Sequence, residues 1–427
     1  MTAADVTTVA ITGDIGTAAR QALRAARIRG VLFAFIGLLA LNAARTSFDV
    51  PATFSFWVDK QGGTPIALTT SAGVLWLLAG LAAGATGIAQ LVRGASFQWR
   101  RSLLIVIPLF IAAVLGSLLA GKAANLTGVL SGSLELAVPI TLGAFAGILS
   151  ERSGMLNIAI EGKFLIGACA AAIAASVTGN ALIGVAAAIL AGSLVGLLLA
   201  WLGIRHGVDQ IIAGVVVNIG ALGITNFLFL RVLSKNTFLN TPPTIEASPL
   251  PVLSQVPVLG PLLFSGTPYL YFTIALMLFL TYMLFRTRWG LRLRASGEKP
   301  SAAGTVGIDV LRIRYQAMLL AGMLGGLAGS YLSLSNAGSF QMNMSAGRGY
   351  IALASVIFGA WHPIGAFGAA LVFGFSDNTQ ALLSILGVDV PPQLLNSVPY
   401  IVTIIVVAGV VGRVRGPAAA GQPYNQG

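Results

Sequence analysis

The sequence predicts an all-α polytopic membrane protein with about twelve transmembrane helices and cytoplasmic N- and C-termini. Composition is the first reason: 56% of the 427 residues are hydrophobic and 9% are charged, against roughly a quarter charged in soluble globular chains. One crossing takes roughly 20 apolar residues, so this apolar content furnishes about twelve. The second reason is the recurrence of long apolar runs, and the third is the segregation of basic residues between them. The 52 glycines have no fixed period and lie inside apolar runs, which excludes a collagen-like chain and suits close helix packing. A single cysteine, Cys169, excludes a disulfide framework, and two histidines, His206 and His362, leave little for a metal site. The net charge of +12 therefore reports membrane topology and not a nucleic-acid partner.

Taken in order, residues 1–29 form a polar cytoplasmic N-terminal segment carrying Arg20, Arg24, Arg27 and Arg29. The apolar run 30–44 follows without a small-residue cleavage site, so it reads as an uncleaved first span and not a signal peptide. With runs at 66–92 and 102–121 it makes an N-terminal transmembrane extension over 30–127. A permease-like core over 128–412 holds runs at 128–149, 164–179, 181–203, 208–230, 269–285, 315–334, 349–361, 364–386 and 395–412, and 413–427 is a cytoplasmic tail. Alternating from an inside N-terminus puts 19 of the 25 Lys and Arg on the inner side, Arg152, Lys163 and Arg205 among them. Arg45, Lys60, Lys122, Arg231, Lys235 and Arg348 fall outside. The outer segment 234–268 is proline-rich and nearly uncharged, either an ordered docking loop or a plain connector. The pairs Gly143/Gly147, Gly192/Gly196, Gly322/Gly326 and Gly325/Gly329 place small residues on one helix face for close packing.

No catalytic apparatus is visible. GSLLAGK at 116–122 has the spacing of a phosphate-cradling loop, but Ala123 stands where Ser or Thr must hold magnesium, and the stretch ends an apolar span. No Ser, His and Asp constellation and no His cluster appears, so neither catalytic residues nor metal ligands are expected. The inner loop 286–314 has seven basic and two acidic residues. Pro300 can open a short helix there, with Glu298 beside its N-terminal dipole, Ala302 and Ala303 continuing it, and Gly304 or Gly307 stopping it. Such a helix suits mechanical contact with a motor subunit; a basic loop on anionic lipid is the alternative. Ionisable and amide groups at membrane depth are costly and tend to face a cavity or a partner. SERSGMLNIAIEG at 150–162 thus nominates Asn157 and Glu161, four apart on one helical face, unless it is a cytoplasmic turn with a Glu151–Arg152 pair. Asp209, Gln210, Asn218, Asn226 and Asp377 follow by the same reasoning, with Asn218 central in its span. Glu135 and His206 read as interfacial, and His362, in a Trp-His-Pro turn, as structural.

Three segments together carry a family resemblance: SERSGMLNIAIEG, GEKPSAAGTVGIDVLRIRY, and GRGYIALASVIFGAWHPIGAFGAALVFGFSD at 347–377. In this order they resemble the permeases of binding-protein-dependent ABC importers for simple sugars, nucleosides and branched-chain amino acids, most closely the nucleoside branch. The resemblance implies a prokaryotic plasma (inner) membrane protein that is itself non-catalytic. Its implied partners are an ATP-binding subunit that binds and hydrolyses the ATP, a second, different permease subunit, and an extracytoplasmic substrate-binding protein or lipoprotein. The chain itself then holds no cofactor and touches membrane lipid but no nucleic acid. On this reading Gly297, Glu298, Pro300, Ala302, Ala303 and Gly307 form the ATPase-coupling segment. A nucleoside passes near Asn157, Glu161, Asn218 and Asp377, with Phe340 or Phe375 stacking on a base or sugar face. A ribose-like sugar permease is the rival within the class, and a proton-coupled secondary transporter using Glu161 or Asp377 the rival outside it.

Overall fold

The computed structural model describes residues 3–56, 66–119, 123–385, 387, 394, 397 and 415–424. The last predicted crossing, 395–412, lies almost wholly outside the described residues. The chain divides into two compact units, one built mainly from residues up to Leu126 and one mainly from Thr127 onward.

In the first unit the arginine-bearing segment and the first apolar run are a single helix, α1 (Ala3–Thr46). Strands β1 (Pro51–Phe56) and β2 (Ile66–Ser71) follow, then α2 (Ala72–Arg93), α3 (Trp99–Leu119) and β3 (Ala123–Asn125). The run predicted as a span from 66 opens as a strand because Ile-Ala-Leu-Thr-Thr-Ser favours extended backbone. Ser71 then starts α2, its Oγ accepting from Val74 N at 3.2 Å. β1 pairs antiparallel with β2 and parallel with β3. Helices α1 and α2 approach through Gly37 and Gly84, where a Cβ on Gly37 would collide with backbone. Gly116 of the GSLLAGK stretch lies inside α3, so that part of the stretch is a helix and not a phosphate loop.

The second unit holds α4 (Leu126–Arg152), α5 (Ile160–Thr178), α6 (Ala181–Ala200) with a π turn to Arg205, α7 (Gln210–Leu228) with a π turn to Leu233, α8 (Leu259–Leu263), α9 (Pro268–Arg286), α10 (Arg288–Glu298), α11 (Pro300–Thr305), α12 (Val310–Tyr331), α13 (Arg348–Phe358) and α14 (Pro363–Ile385). Among the described residues of the whole chain, nine helices are long and apolar enough to cross a membrane. α13 is apolar but short. α14 is long enough, but its run 376–380, Ser-Asp-Asn-Thr-Gln, is polar.

Helices α4, α5 and α12 are mostly buried inside the protein, whereas α6, α7 and α9 turn most of their residues outward. The outward residues are apolar, Leu190, Leu194, Val216, Ile219 and Phe279 among them, as a lipid-facing wall requires. α5, α6 and α12 meet through glycine: a Cβ on Gly192 would strike the backbone of Gly322 and Gly326, and one on Gly167 the backbone of Gly326. The predicted small-residue faces are therefore packing faces, where absent side chains let backbones touch.

Two unwound stretches lead into helices that start inside the protein. Arg152 ends α4 at the same end of the unit as Trp361, whose carbonyl accepts from Arg152 Nε and Nη2 at 3.2 and 3.1 Å. From there 153–159 runs without helix before α5 begins. Likewise 337–347 runs without helix from the far end of α12 before α13 begins. Lys163 and Arg348, which the sequence reading put in loops on opposite sides, instead sit in the first turns of these two interior helices. A helix that starts inside the protein carries its first-turn basic residue away from either loop, which is why the alternation of loops misplaces both.

Candidate functional site

Helices α5 and α13 begin against each other. Glu161, in the first turn of α5 and buried, accepts from Ser345 Oγ at 2.5 Å, Gly347 N at 2.8 Å and Gly349 N at 2.7 Å. Its carboxylate thus satisfies the orphan N–H groups at the start of α13 and sits at the positive end of that helix. Gly347 takes φ +79°, open to glycine, and a Cβ on Gly349 would meet Glu161 backbone and carboxylate.

Asn218 of α7 ties the same junction from the side. Its Oδ1 accepts from Gly162 N at 2.7 Å, and its Nδ2 donates to Ile158 O at 2.9 Å and Tyr350 Oη at 3.2 Å. One amide therefore holds the unwound segment, the first turn of α5 and the first turn of α13. Asn157, in the unwound segment, accepts from Lys163 Nζ at 2.6 Å; both are fully buried, and Asn157 Nδ2 has no partner among the described residues. Asp377 of α14 lies 3.6 Å from Arg348 Nε, with both side chains partly exposed. Beside them Ser376 Oγ and Thr379 Oγ1 are buried without partners among the described residues. The structure therefore brings Glu161 and Asn218 together at the starts of α5 and α13, sets the Asn157–Lys163 pair across the unwound segment and the first turn of α5, and joins Asp377 to the first turn of α13 through Arg348.

The two phenylalanines are placed elsewhere. Phe340 is fully buried in a cluster with Ala168, Cys169, Ala172 and Leu233, its ring 6.2 Å from that of Phe229. Phe375 is half-buried on α14. The aromatic nearest the junction is Tyr350, which is 49% exposed and so presents a ring at the surface beside Asn218.

Other polar residues turn out to shape the fold. Asp209 caps α7, Oδ1 accepting from Ile211 N and Ile212 N at 2.8 and 3.0 Å. Gln210 Oε1 accepts from Leu156 N at 2.7 Å, another hold on the unwound segment. Glu135 accepts from Thr267 N at 2.6 Å, Thr267 Oγ1 at 2.8 Å and Tyr331 Oη at 3.3 Å. It lines a cavity of about 310 Å³ with Ser131, Ser335 and the end of the proline-rich segment. Glu151 Oε2 accepts from Trp361 Nε1 at 2.6 Å, so Trp361 is clasped from both ends by Glu151 and Arg152. His362 stacks on Phe285 with ring centroids 4.8 Å apart, and burial, then the Arg152 charge, holds its pKa below the usual histidine value.

The predicted short helix after Pro300 is α11, and it stops before Gly307 at φ +80°. Its neighbours divide into inward and outward residues. Gly297 is buried against the backbone of Arg152 and Gly154, and Ala303 is buried. Glu298, Ser301, Ala302, Val306 and Gly307 are exposed, and Pro300 is half-exposed. Ser296 Oγ donates to Ser153 O at 2.9 Å, which fastens this segment to the start of the unwound stretch.

The tail 415–424 completes that end. Ala419 N donates to Gly297 O at 2.9 Å, Gly421 N to Gly154 O at 3.0 Å, and Ala418 N to Glu298 Oε2 at 3.4 Å. Arg314 Nη1 donates to Gln422 O at 3.0 Å. Sequence reasoning missed Ser345, Gly349 and Tyr350 because each gains its meaning only from a partner far along the chain, and Lys163 because its partner Asn157, only six residues away, lies across an unwound stretch. The cluster of a Gly-rich turn, GRGY, before an apolar helix was the available signal.

A model of the family described as "Branched-chain amino acid transport system / permease component" matches residues 129–407. The chain is 38% identical over 304 residues to the guanosine ABC transporter permease protein NupQ of Bacillus subtilis, covering 69% of this chain and 95% of that protein. It is 35% identical over 308 residues to the nucleoside ABC transporter permease protein NupC of Lactococcus lactis, covering 69% of this chain and 96% of that protein. No solved structure matches the chain significantly.

Proposed function

Because this chain belongs to the family of branched-chain amino acid transport system permease components, we propose that it is the membrane-spanning subunit of an ATP-driven nucleoside importer, non-catalytic in itself. It is a multi-pass protein of the prokaryotic plasma membrane. ATP is bound and hydrolysed by a partner chain, a second permease subunit completes the pathway, and an extracytoplasmic binding protein or lipoprotein delivers the ligand. The nucleoside assignment is supported by the guanosine and nucleoside permeases it resembles over 95% and 96% of their lengths.

The observation that carries the mechanism is the junction of the starts of α5 and α13 at Glu161, linked by hydrogen bonds to the segment beside α11. Broken helices at membrane depth are where transporters place substrate, since unwound backbone is tolerated there only when it lines a cavity or is buried in protein. Glu161 and Asn218 act as positioning residues, because their acceptors are taken by the protein's own donors. Tyr350, Arg348 and Asp377, less buried, offer a ring face and charged hydrogen-bonding groups to a base and a ribose. Movement of 297–307 by the ATPase pulls on 153–159 through Ser296 and Gly297, and so on the start of α5. That is the proposed route from ATP hydrolysis to alternating access.

The testing experiment is uptake of labelled guanosine and labelled ribose by the assembled complex in cells lacking their own carriers. Guanosine uptake is expected. Import of ribose alone would keep the transport class and remove the nucleoside assignment.

A further inference from the structure

At the end of the second unit that carries α11 and the tail, a second cavity opens between the end of α6, the start of α12 and Tyr424. Its volume is about 250 Å³, and its lining includes Arg205, His206, Gly207, Leu311, Arg314 and Tyr424. No carboxylate is among the described lining residues. Arg314 is 2% exposed, and although Nη1 reaches Gln422 O, its Nε and Nη2 have no hydrogen-bond partner among the described residues. Buried guanidinium donors left unpaired are costly, and an anion is what satisfies them. Leu311 belongs to the first turn of α12, a 22-residue helix, whose positive end adds to the two arginines. The nearby acids are occupied: Asp209 caps α7 and Asp309 accepts from Arg312 N at 2.9 Å.

The surroundings say which anion. The outward faces next to the cavity are apolar, with Leu194, Leu198, Ile211 and Ile212 all exposed. Trp201 is also exposed, its ring edge-on to His206 at 4.3 Å, and tryptophan marks the membrane–water boundary. A basic cavity at headgroup depth, flanked by a lipid-facing wall, suits a phosphate carrying acyl chains. We propose that this cavity binds the phosphate of an anionic phospholipid headgroup, with Arg314 as its buried donor, Arg205 and His206 at its rim, and the acyl chains along α6 and α7. Free phosphate is the other source of the same chemistry.

The test uses the full-length chain in nanodiscs of phosphatidylcholine alone or mixed with phosphatidylglycerol, read by thermal unfolding and by native mass spectrometry of retained lipid. Phosphatidylglycerol is expected to raise the melting temperature and to stay bound. The double variant Arg205→Gln, His206→Gln, on the exposed rim, should retain about fivefold less for the lost arginine charge, with unchanged melting in phosphatidylcholine. Arg314→Gln should lose retention more fully. Equal retention by wild type and the rim variant overturns the proposal. Stabilisation by inorganic phosphate in phosphatidylcholine, with no preference for phosphatidylglycerol, overturns the lipid assignment and leaves a free-phosphate site.

Discussion

Glu161 is the residue on which most of the junction depends. Its two oxygens accept from one hydroxyl and two backbone N–H groups, and each buried donor left unpaired costs about 1–3 kcal/mol. Glu161→Ala should therefore lower the melting temperature sharply, whereas Glu161→Gln should lower it less, keeping one acceptor. Equal melting of wild type and Glu161→Ala would show that α13 starts without this cap. Tyr350→Phe removes only a 3.2 Å bond to Asn218, so its stability should change by about 1 kcal/mol or less. Nucleoside uptake by Tyr350→Phe should nonetheless fall, by roughly 5-fold or more if the hydroxyl contacts substrate in the limiting state. Asp377→Asn should likewise reduce uptake beyond any loss of protein from the membrane. Uptake that merely tracks protein level in both variants would make Tyr350 and Asp377 packing residues.

Among elements, the three-helix contact of α5, α6 and α12 is set by absent side chains. A Cβ on Gly326 would strike Ala188 backbone, so Gly326→Ala should destabilise by about 1–3 kcal/mol through overpacking, measurable by thermal unfolding. The glycine spacings made this contact legible in sequence, because an i, i+4 pair of small residues has one physical use in an apolar helix. The short helix after Pro300 was legible for a similar reason, since proline and glycine fix its two ends locally. The unwound stretches 153–159 and 337–347 were not legible: their backbone groups are satisfied by Asn218, Gln210, Asn240 and Glu161 across the fold. Lys163 and Arg348 were hidden for another reason: each stands in the first turn of a helix that starts after an unwound stretch, and their charges looked like loop markers. For α11 the exposed residues carry the coupling test. Ala302→Arg and Val306→Asp should abolish stimulation of the partner ATPase while leaving melting unchanged. Gly297 is unsuitable for this purpose, as a Cβ there would strike the Arg152 carbonyl.

On the scale of the whole molecule, composition and charge segregation carried the fold class, because both are sums over many residues and survive errors at any one. The number of crossings did not follow so directly, since one predicted run opens as a strand and α13, with 11 residues, is short for a crossing. The tail shows how remote segments are joined: 415–424 bonds to both the coupling segment and the unwound stretch. Removing 415–427 should raise hydrogen exchange at 153–156 and 296–298, each lost bond being worth about 0.5–1.5 kcal/mol; unchanged exchange would mean the tail only rests there. The central claim is that this chain passes nucleoside through a pathway driven by ATP on another chain. The most direct measurement is labelled guanosine uptake into proteoliposomes holding the chain with its ATPase, second permease and binding-protein partners, with ATP supplied and the proton gradient collapsed by an ionophore. Uptake should require ATP and persist without the gradient; uptake that stops when the gradient is collapsed, ATP still being present, would contradict it.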